Sequence, residues 1–142
     1  MSPTINALLQ KRDAILDQLR SIEHFRRGTV TLHARVCGKP SCRCARDASA
    51  KHEQFIWSFS SGGKTTSKHL RPGPEVAKYV EETERYREFK QLVDQLTILN
   101  EQLANSKPAA VIDDADTLDA LKKKLRRKLL RSSKRNSSVS ST

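Results

Sequence analysis

Three cysteines lie within eight residues of one another and a histidine follows: Cys37, Cys42, Cys44 and His52, spaced C-x4-C-x-C-x7-H. Thiolate and imidazole are the donors Zn²⁺ favours, and a structural zinc site closes with four of them in a tetrahedron. Gly38 and Pro40 allow the Cys37–Cys42 loop to fold back around an ion and aim backbone N–H groups at the sulfurs. In an extended chain Cys42 and Cys44 would point their sulfurs to one side. The loop to His52 is long enough to complete the shell. His33 and His69 compete for the fourth place, and His52 is preferred because its loop closes locally. Three thiolates on Zn²⁺ leave one negative charge. Lys39, Arg43, Arg46 and Lys51 surround it in sequence, favouring deprotonated thiols before the metal arrives and offsetting the complex afterwards. Four protein ligands leave no open position for a metal-bound water, so the site reads as a structural zinc staple. An odd, tightly clustered set of cysteines argues against a disulfide framework.

Other chemistry is thin. Ser61-Gly62-Gly63-Lys64-Thr65 invites a phosphate-loop reading, but that motif needs a glycine where Ser58 stands, and its lysine should open a helix. Here the flanks predict strand, turn, strand. Serines, histidines and carboxylates show no spacing that suggests a catalytic set, so the expectation is a protein that is not an enzyme.

Charge points to the partner. The chain of 142 residues has a formal net charge of +11. From His24 to Pro72 there are ten Lys/Arg against two Asp/Glu, and from Ala115 to Thr142 nine against two. Two such blocks favour a polyanionic partner such as DNA, RNA or an anionic membrane surface; charge does not separate DNA from RNA, and double-stranded DNA is the expected partner. Candidate phosphate contacts are Arg35, Lys39, Arg43, Arg46, Lys64 and Lys68 in the first block. Lys122, Lys123, Lys124, Arg126, Arg127 and Lys128 supply the second. The second block lacks Trp or Phe on its apolar side, which disfavours a membrane-surface helix. No stretch has the run of about 18 apolar residues a membrane span requires. The start lacks the pattern of a signal peptide. The expected location is cytoplasmic, on the nucleoid.

These residues need elements to position them. Residues 1–27 predict an amphipathic helix from Thr4 to Arg27, with Ser2 or Thr4 as cap and Gly28 as stop. Its seam is Ile5, Leu8, Arg12, Ile15, Leu19 and Ile22, widened by Leu9 and Leu16. Residues 28–72 predict the zinc-binding β unit. Its strands are Thr29–Val36, Glu53–Ser60 and Lys64–Leu70, with a Gly62-Gly63 turn between the last two. Phe55, Trp57 and Phe59 share one face, either a core face, which the scarcity of aromatics favours, or a platform for bases. The opposite face, carrying Thr, Ser, Lys, Arg and His, is the better candidate for phosphates. Residues 73–105 predict a long helix opened by Pro74. Its heptad seam is Tyr79, Tyr86, Phe89, Val93, Leu96 and Leu103, with Asn100 on it. Residues 106–114 read as a linker. Residues 115–142 read as a basic helix, Asp116–Leu130, and a disordered tail. The expected fold class is α+β: a three-stranded antiparallel sheet with a Cys3His zinc knuckle, flanked by two long helices packed as a coiled-coil-like hairpin within one chain or across a homodimer.

The string VCGKPSCRCARDASAKHEQFIWSFSSGGKTTSKHL resembles a family of short, uncharacterised bacterial proteins with a CGKPxCRCA motif, a following histidine, an aromatic strand and a GKT hairpin. The resemblance spans Arg26 to Leu103. It implies that Cys37, Cys42, Cys44 and His52 are the motif positions. It also implies an association with transposases and other mobile elements. The chain departs from the pattern after the histidine, with Glu53-Gln54 where the family usually has Gly-Pro. The reading that follows is a zinc-stabilised DNA-binding accessory protein. The alternative is an adaptor that docks a transposase or another nucleic-acid enzyme through its helix seam.

Overall fold

The computed structural model describes residues 3–139, which fall into two compact units divided between Ser106 and Lys107. The first unit runs α1 (Ile5–Ser21), β1 (Thr29–Arg35), β2 (His52–Ser61), β3 (Lys64–Leu70) and α2 (Pro74–Asn105). The second contains α3 (Ala115–Val139). The architecture is the expected α+β with three antiparallel strands.

The sheet is a meander in the order β1-β2-β3. The β2–β3 turn is Gly62-Gly63, both at positive φ (56° and 75°), which a tight hairpin turn demands and glycine supplies without strain. Register places Val30 opposite Trp57 opposite Lys68, and Leu32 opposite Phe55 opposite Leu70. The face these residues share meets α2 at Trp57, which lies edge-on to Tyr79 at 5.8 Å between ring centroids, while Leu32 at its outer end stays exposed. Lys68 therefore stands on the aromatic face and not on the polar one. Its ammonium donates to Glu75 (2.6 Å) and to the Tyr79 hydroxyl (3.1 Å). The register puts Lys64 on the same side as Lys68. The polar face keeps Thr31, His33, Arg35, His52, Ser67 and His69.

Thr4 caps α1 by accepting from the Ala7 N–H at 3.4 Å; the other candidate cap, Ser2, lies outside the described residues. The helix ends at Ser21, not at Arg27, and Ile22 is already extended. The reason is tertiary. Residues 22–27 are held open by partners on α2 and β2: Phe25 stacks on Phe89 at 4.8 Å, the Arg26 N–H donates to the Glu82 carbonyl at 3.0 Å, and Trp57 Nε1 donates to the Arg27 carbonyl at 2.9 Å. Gly28 is thus no helix stop. It sits where the connector crosses β2, and a Cβ there would lie 2.6 Å from Trp57 Nε1 and collide with the Ser58 carbonyl.

The bounds of α2 are as the sequence predicts, and Tyr79, Tyr86, Phe89, Val93, Leu96 and Leu103 of its seam are all buried or half-buried, but the buried surface is wider than that seam. Tyr79, Glu82 and Thr83 are buried in its first half, and Leu92, Leu99 and Leu103 in its second. At ~100° per residue the second set lies about 140° around the helix from Tyr79. The helix has two partners instead of one: the sheet and connector first, then α1, where Leu8 meets Leu99 and Leu103 with Leu9 and Ile15 packed alongside. Since Leu8 opens α1 and Leu103 nearly ends α2, the two helices run antiparallel. Asn100 is exposed and off the seam, its amide donating back to the Leu96 carbonyl at 2.9 Å. Ile5 and Leu16 of the expected α1 seam are also exposed.

In the second unit Asp114 caps α3 by accepting from the Thr117 N–H at 2.8 Å. The helix continues to Val139, well beyond Leu130, so Arg131–Val139 is helical where a disordered tail is predicted. No Pro or Gly interrupts the chain after Leu130, and propagating a formed helix adds one hydrogen bond per residue fixed. Residues 140–142 of that tail lie outside the described residues. Leu118, Leu121, Leu125 and Leu129 are exposed, as are the cations around them.

Candidate metal centre

The register of β1 and β2 builds the site. Arg35, the last residue of β1, pairs with His52, the first of β2, so the chain leaves and re-enters the sheet at one end. Cys37 follows two residues after Arg35. The return loop is tightly wound. The Cys42 N–H donates to the Lys39 carbonyl (3.1 Å), and a 3-10 turn, Arg43–Ala45, follows with Cys42 as its cap. Cys42 and Cys44 therefore converge through a helical turn and not through extended chain. Asp47 then caps a second 3-10 turn, Ala48–Ala50, accepting from the Ser49 N–H at 2.9 Å and hydroxyl at 2.6 Å. Its other oxygen takes Arg43 at 3.2 Å. These bonds, led by the Ser49 hydroxyl, hold the Asp47 carboxyl below its ordinary range.

The donor atoms of Cys37, Cys42, Cys44 and His52 all lie within 4.8 Å of one another. The Cys37 and Cys44 sulfurs are 3.5 Å apart, and Cys42 Sγ is 3.3 Å from His52 Nε2. Zn–S distances of ~2.3 Å in a tetrahedron space the sulfurs about 3.8 Å apart, so the cluster has the size a zinc-sized ion requires. The Cys37 N–H points at Cys44 Sγ at 3.4 Å. Cys44 is buried, Cys42 half-buried, and Cys37 and His52 exposed, so an ion would enter from the surface.

The thiols are electrostatically divided. The Cys44 backbone N–H, then His52 and the other two thiols, lower the Cys42 pKa to about 6. Cys44 gains from the Cys37 N–H, yet burial and the neighbouring thiols outweigh that bond and push it up. Three thiolates at this spacing repel one another, and a divalent cation among them removes the conflict.

The competing histidines stand elsewhere. His33 pairs with Gln54 and His69 with Ile56, further along the sheet, and neither joins the cluster. The proposed phosphate contacts are dispersed. Arg35, Lys39, Arg43 and Arg46 belong to the strand end and loop that carry the cluster. Lys64 sits at the far hairpin, about 30 Å away by the rise of the intervening strand. Lys68 is committed to Glu75. Lys122, Lys123, Lys124, Arg126, Arg127 and Lys128 lie on α3 of the second unit. Lys123 pairs with Asp119 at 2.8 Å.

Fold and site define a small α+β domain organised around a possible Cys3His metal centre. The chain belongs to a family described as a domain of unknown function (DUF6788), whose pattern matches residues 5–88, more than half of the chain. That span takes in α1, the sheet, the cluster and the first half of α2. No curated protein and no solved structure gives a significant match. Among the described residues no helix is long and apolar enough to cross a membrane.

Proposed function

We propose that the chain is a zinc-stabilised, non-enzymatic DNA-binding protein. The observation that carries this reading is the state of the cations around the cluster. Arg35, Lys39, Arg46 and Lys51 have no carboxylate partner among the described residues, whereas Arg43 is paired with Asp47. Unpaired cations on a rigid loop are what a phosphate backbone neutralises, with counterion release as the driving force. The donor set supports Zn²⁺ as the ion, and four protein donors support a structural role, since a catalytic zinc keeps a position open. The basic helix α3 would add further phosphate contacts. The mobile-element setting, with a transposase as possible neighbour or partner, rests on the CGKPSCRCA resemblance alone.

The test joins metal analysis of protein purified under reducing conditions to electrophoretic shifts on duplex DNA at rising salt. One zinc per chain and binding that weakens steeply with salt are expected. Metal-free folded protein would remove the zinc reading, and absence of binding at low salt would remove the DNA reading.

A further inference from the structure

A second basic site lies away from the metal centre, where the sequence gives no cluster to notice. The connector leaves α1 at Ser21 and enters β1 at Thr29, crossing both β2 and α2. Where it does so, a cleft of about 490 Å³ opens between the start of β1, the hairpin half of β2 and the middle of α2. Its cations are Arg27, Arg87 and Lys90, its rings Phe59 and Tyr86, and no carboxylate lines it.

The three cations are not used internally as ions. None has a carboxylate partner among the described residues. The Arg27 guanidinium lies over the Phe59 ring at 4.3 Å, and the Lys90 ammonium is 6.0 Å from the Tyr86 centroid. Tyr86 continues into a three-ring group with Phe25 and Phe89, at 5.5 Å and 6.4 Å. Phe25 is 41% exposed, an unusual position for a residue whose ring could have closed a core. Thr29 on β1 and Ser58 and Ser60 on β2 complete the lining.

Rings accessible at an edge, a guanidinium plane stacked on one of them and unpaired cations beside them suit one ligand chemistry. Every nucleobase has a π-face that stacks on an aromatic or a guanidinium, and the linking phosphate needs a cation within reach. A paired base in a duplex offers neither face. We infer that this cleft binds an unpaired stretch of nucleic acid, one base stacking against the Arg27–Phe59 and Tyr86 surfaces and the adjoining phosphates meeting Arg87 and Lys90. The inference rests on the nucleic-acid reading above and adds the form of the strand and its place on the fold.

The experiment is fluorescence anisotropy on the full chain, with a labelled oligothymidylate of about 12 nucleotides, the length one or two small binding modules cover. A duplex of the same length and free thymidine monophosphate as competitor form the other arms. Arg87→Ala/Lys90→Ala changes two exposed helix residues, so the fold should stand, which circular dichroism checks. The dissociation constant for the single strand should rise about tenfold or more. The slope of log K against log salt should fall by about 1.4, the share of two phosphate contacts at ~0.7 each. Phe59→Leu keeps apolar bulk but removes the π-face, and should weaken the single strand while leaving the salt slope unchanged. Duplex affinity should move little in either variant. Equal losses on both DNA forms, or no loss on the single strand, would overturn the inference and leave the DNA reading standing. Displacement by the monophosphate as readily as by the strand would identify a nucleotide pocket instead. Binding of neither form by the unaltered protein would remove both readings.

Discussion

Arg26 is tied to Glu82 twice. Its Nε donates to Glu82 Oε2 at 2.7 Å, and its backbone N–H donates to the Glu82 carbonyl at 3.0 Å. The guanidinium also lies 4.0 Å from the Tyr79 ring centroid and 5.5 Å from that of Trp57. One residue of the connector thus joins helix, sheet and strand entry. Glu82→Ala leaves the arginine without its carboxylate, but Arg26 is 33% exposed and can turn to water. The expected loss is therefore about 2 kcal/mol, below the 3–5 kcal/mol of a fully buried pair. Urea denaturation reads it, and an unchanged midpoint would show that the pair contributes nothing.

The same pair predicts a pH dependence. Burial opposes the Glu82 charge, but the Arg26 hydrogen bond and the charges of Arg26, Lys78 and His24 outweigh it, and the pKa falls below the ordinary 4.5. A carboxyl held lower in the folded state binds fewer protons there than in the unfolded chain. Its contribution is full above the unfolded value and is lost as pH falls through the folded one. Glu82→Gln should therefore be less stable than the unaltered protein at pH 7. The gap should begin to narrow as pH falls through 4.5 and close only below the lowered folded-state value, where both carry an uncharged side chain. A gap that does not narrow at all with falling pH would mean that Gln is simply the wrong shape.

Gly28 is fixed by geometry and not by helix termination. With φ at 109° and Trp57 Nε1 within 2.6 Å of a Cβ, no side chain fits without moving β2 or breaking the Trp57–Arg27 bond. Gly28→Ala should cost more than the ~1 kcal/mol that a positive φ alone imposes, because backbone on β2 must shift as well. Trp57 emission should report its lost hydrogen bond. A substitution without effect on melting temperature would show the connector to be free to move.

What the sequence makes legible follows the range of the forces involved. The hairpin turn, the opening of α2 at Pro74 and the four clustered donors are local: each is set by residues within about 15 positions of one another. The end of α1 is not, because Phe25, Arg26 and Arg27 are drawn from the helix by Phe89, Glu82 and Trp57, at least thirty residues away. The heptad reading of α2 finds Leu103 but not Leu92 and Leu99, because a single periodic seam assumes a single partner. Lys68 looks like a free cation until the register places it beside Glu75. Arg27, Arg87 and Lys90 belong to no charge run, and only the fold gathers them into one cleft.

The fourth ligand is the sharpest test of the centre. His33, His52 and His69 are alike in composition terms, and the register separates them: His52 alone opens β2 opposite Arg35, with its Nε2 3.3 Å from Cys42 Sγ. His52→Ala should weaken zinc retention against a chelator by more than the ~10–100-fold that loss of an outer-shell partner costs. His33→Ala and His69→Ala should leave retention unchanged. Since His52 is exposed, its replacement removes a ligand without opening a cavity, so lost metal can be distinguished from lost fold by circular dichroism. Cys44→Ser is the contrasting case, because Cys44 is 3% exposed and its loop depends on it. There metal and ordered loop should be lost together. If His33→Ala or His69→Ala releases the metal while His52→Ala does not, the shell closes through the sheet face and the assignment of His52 is wrong.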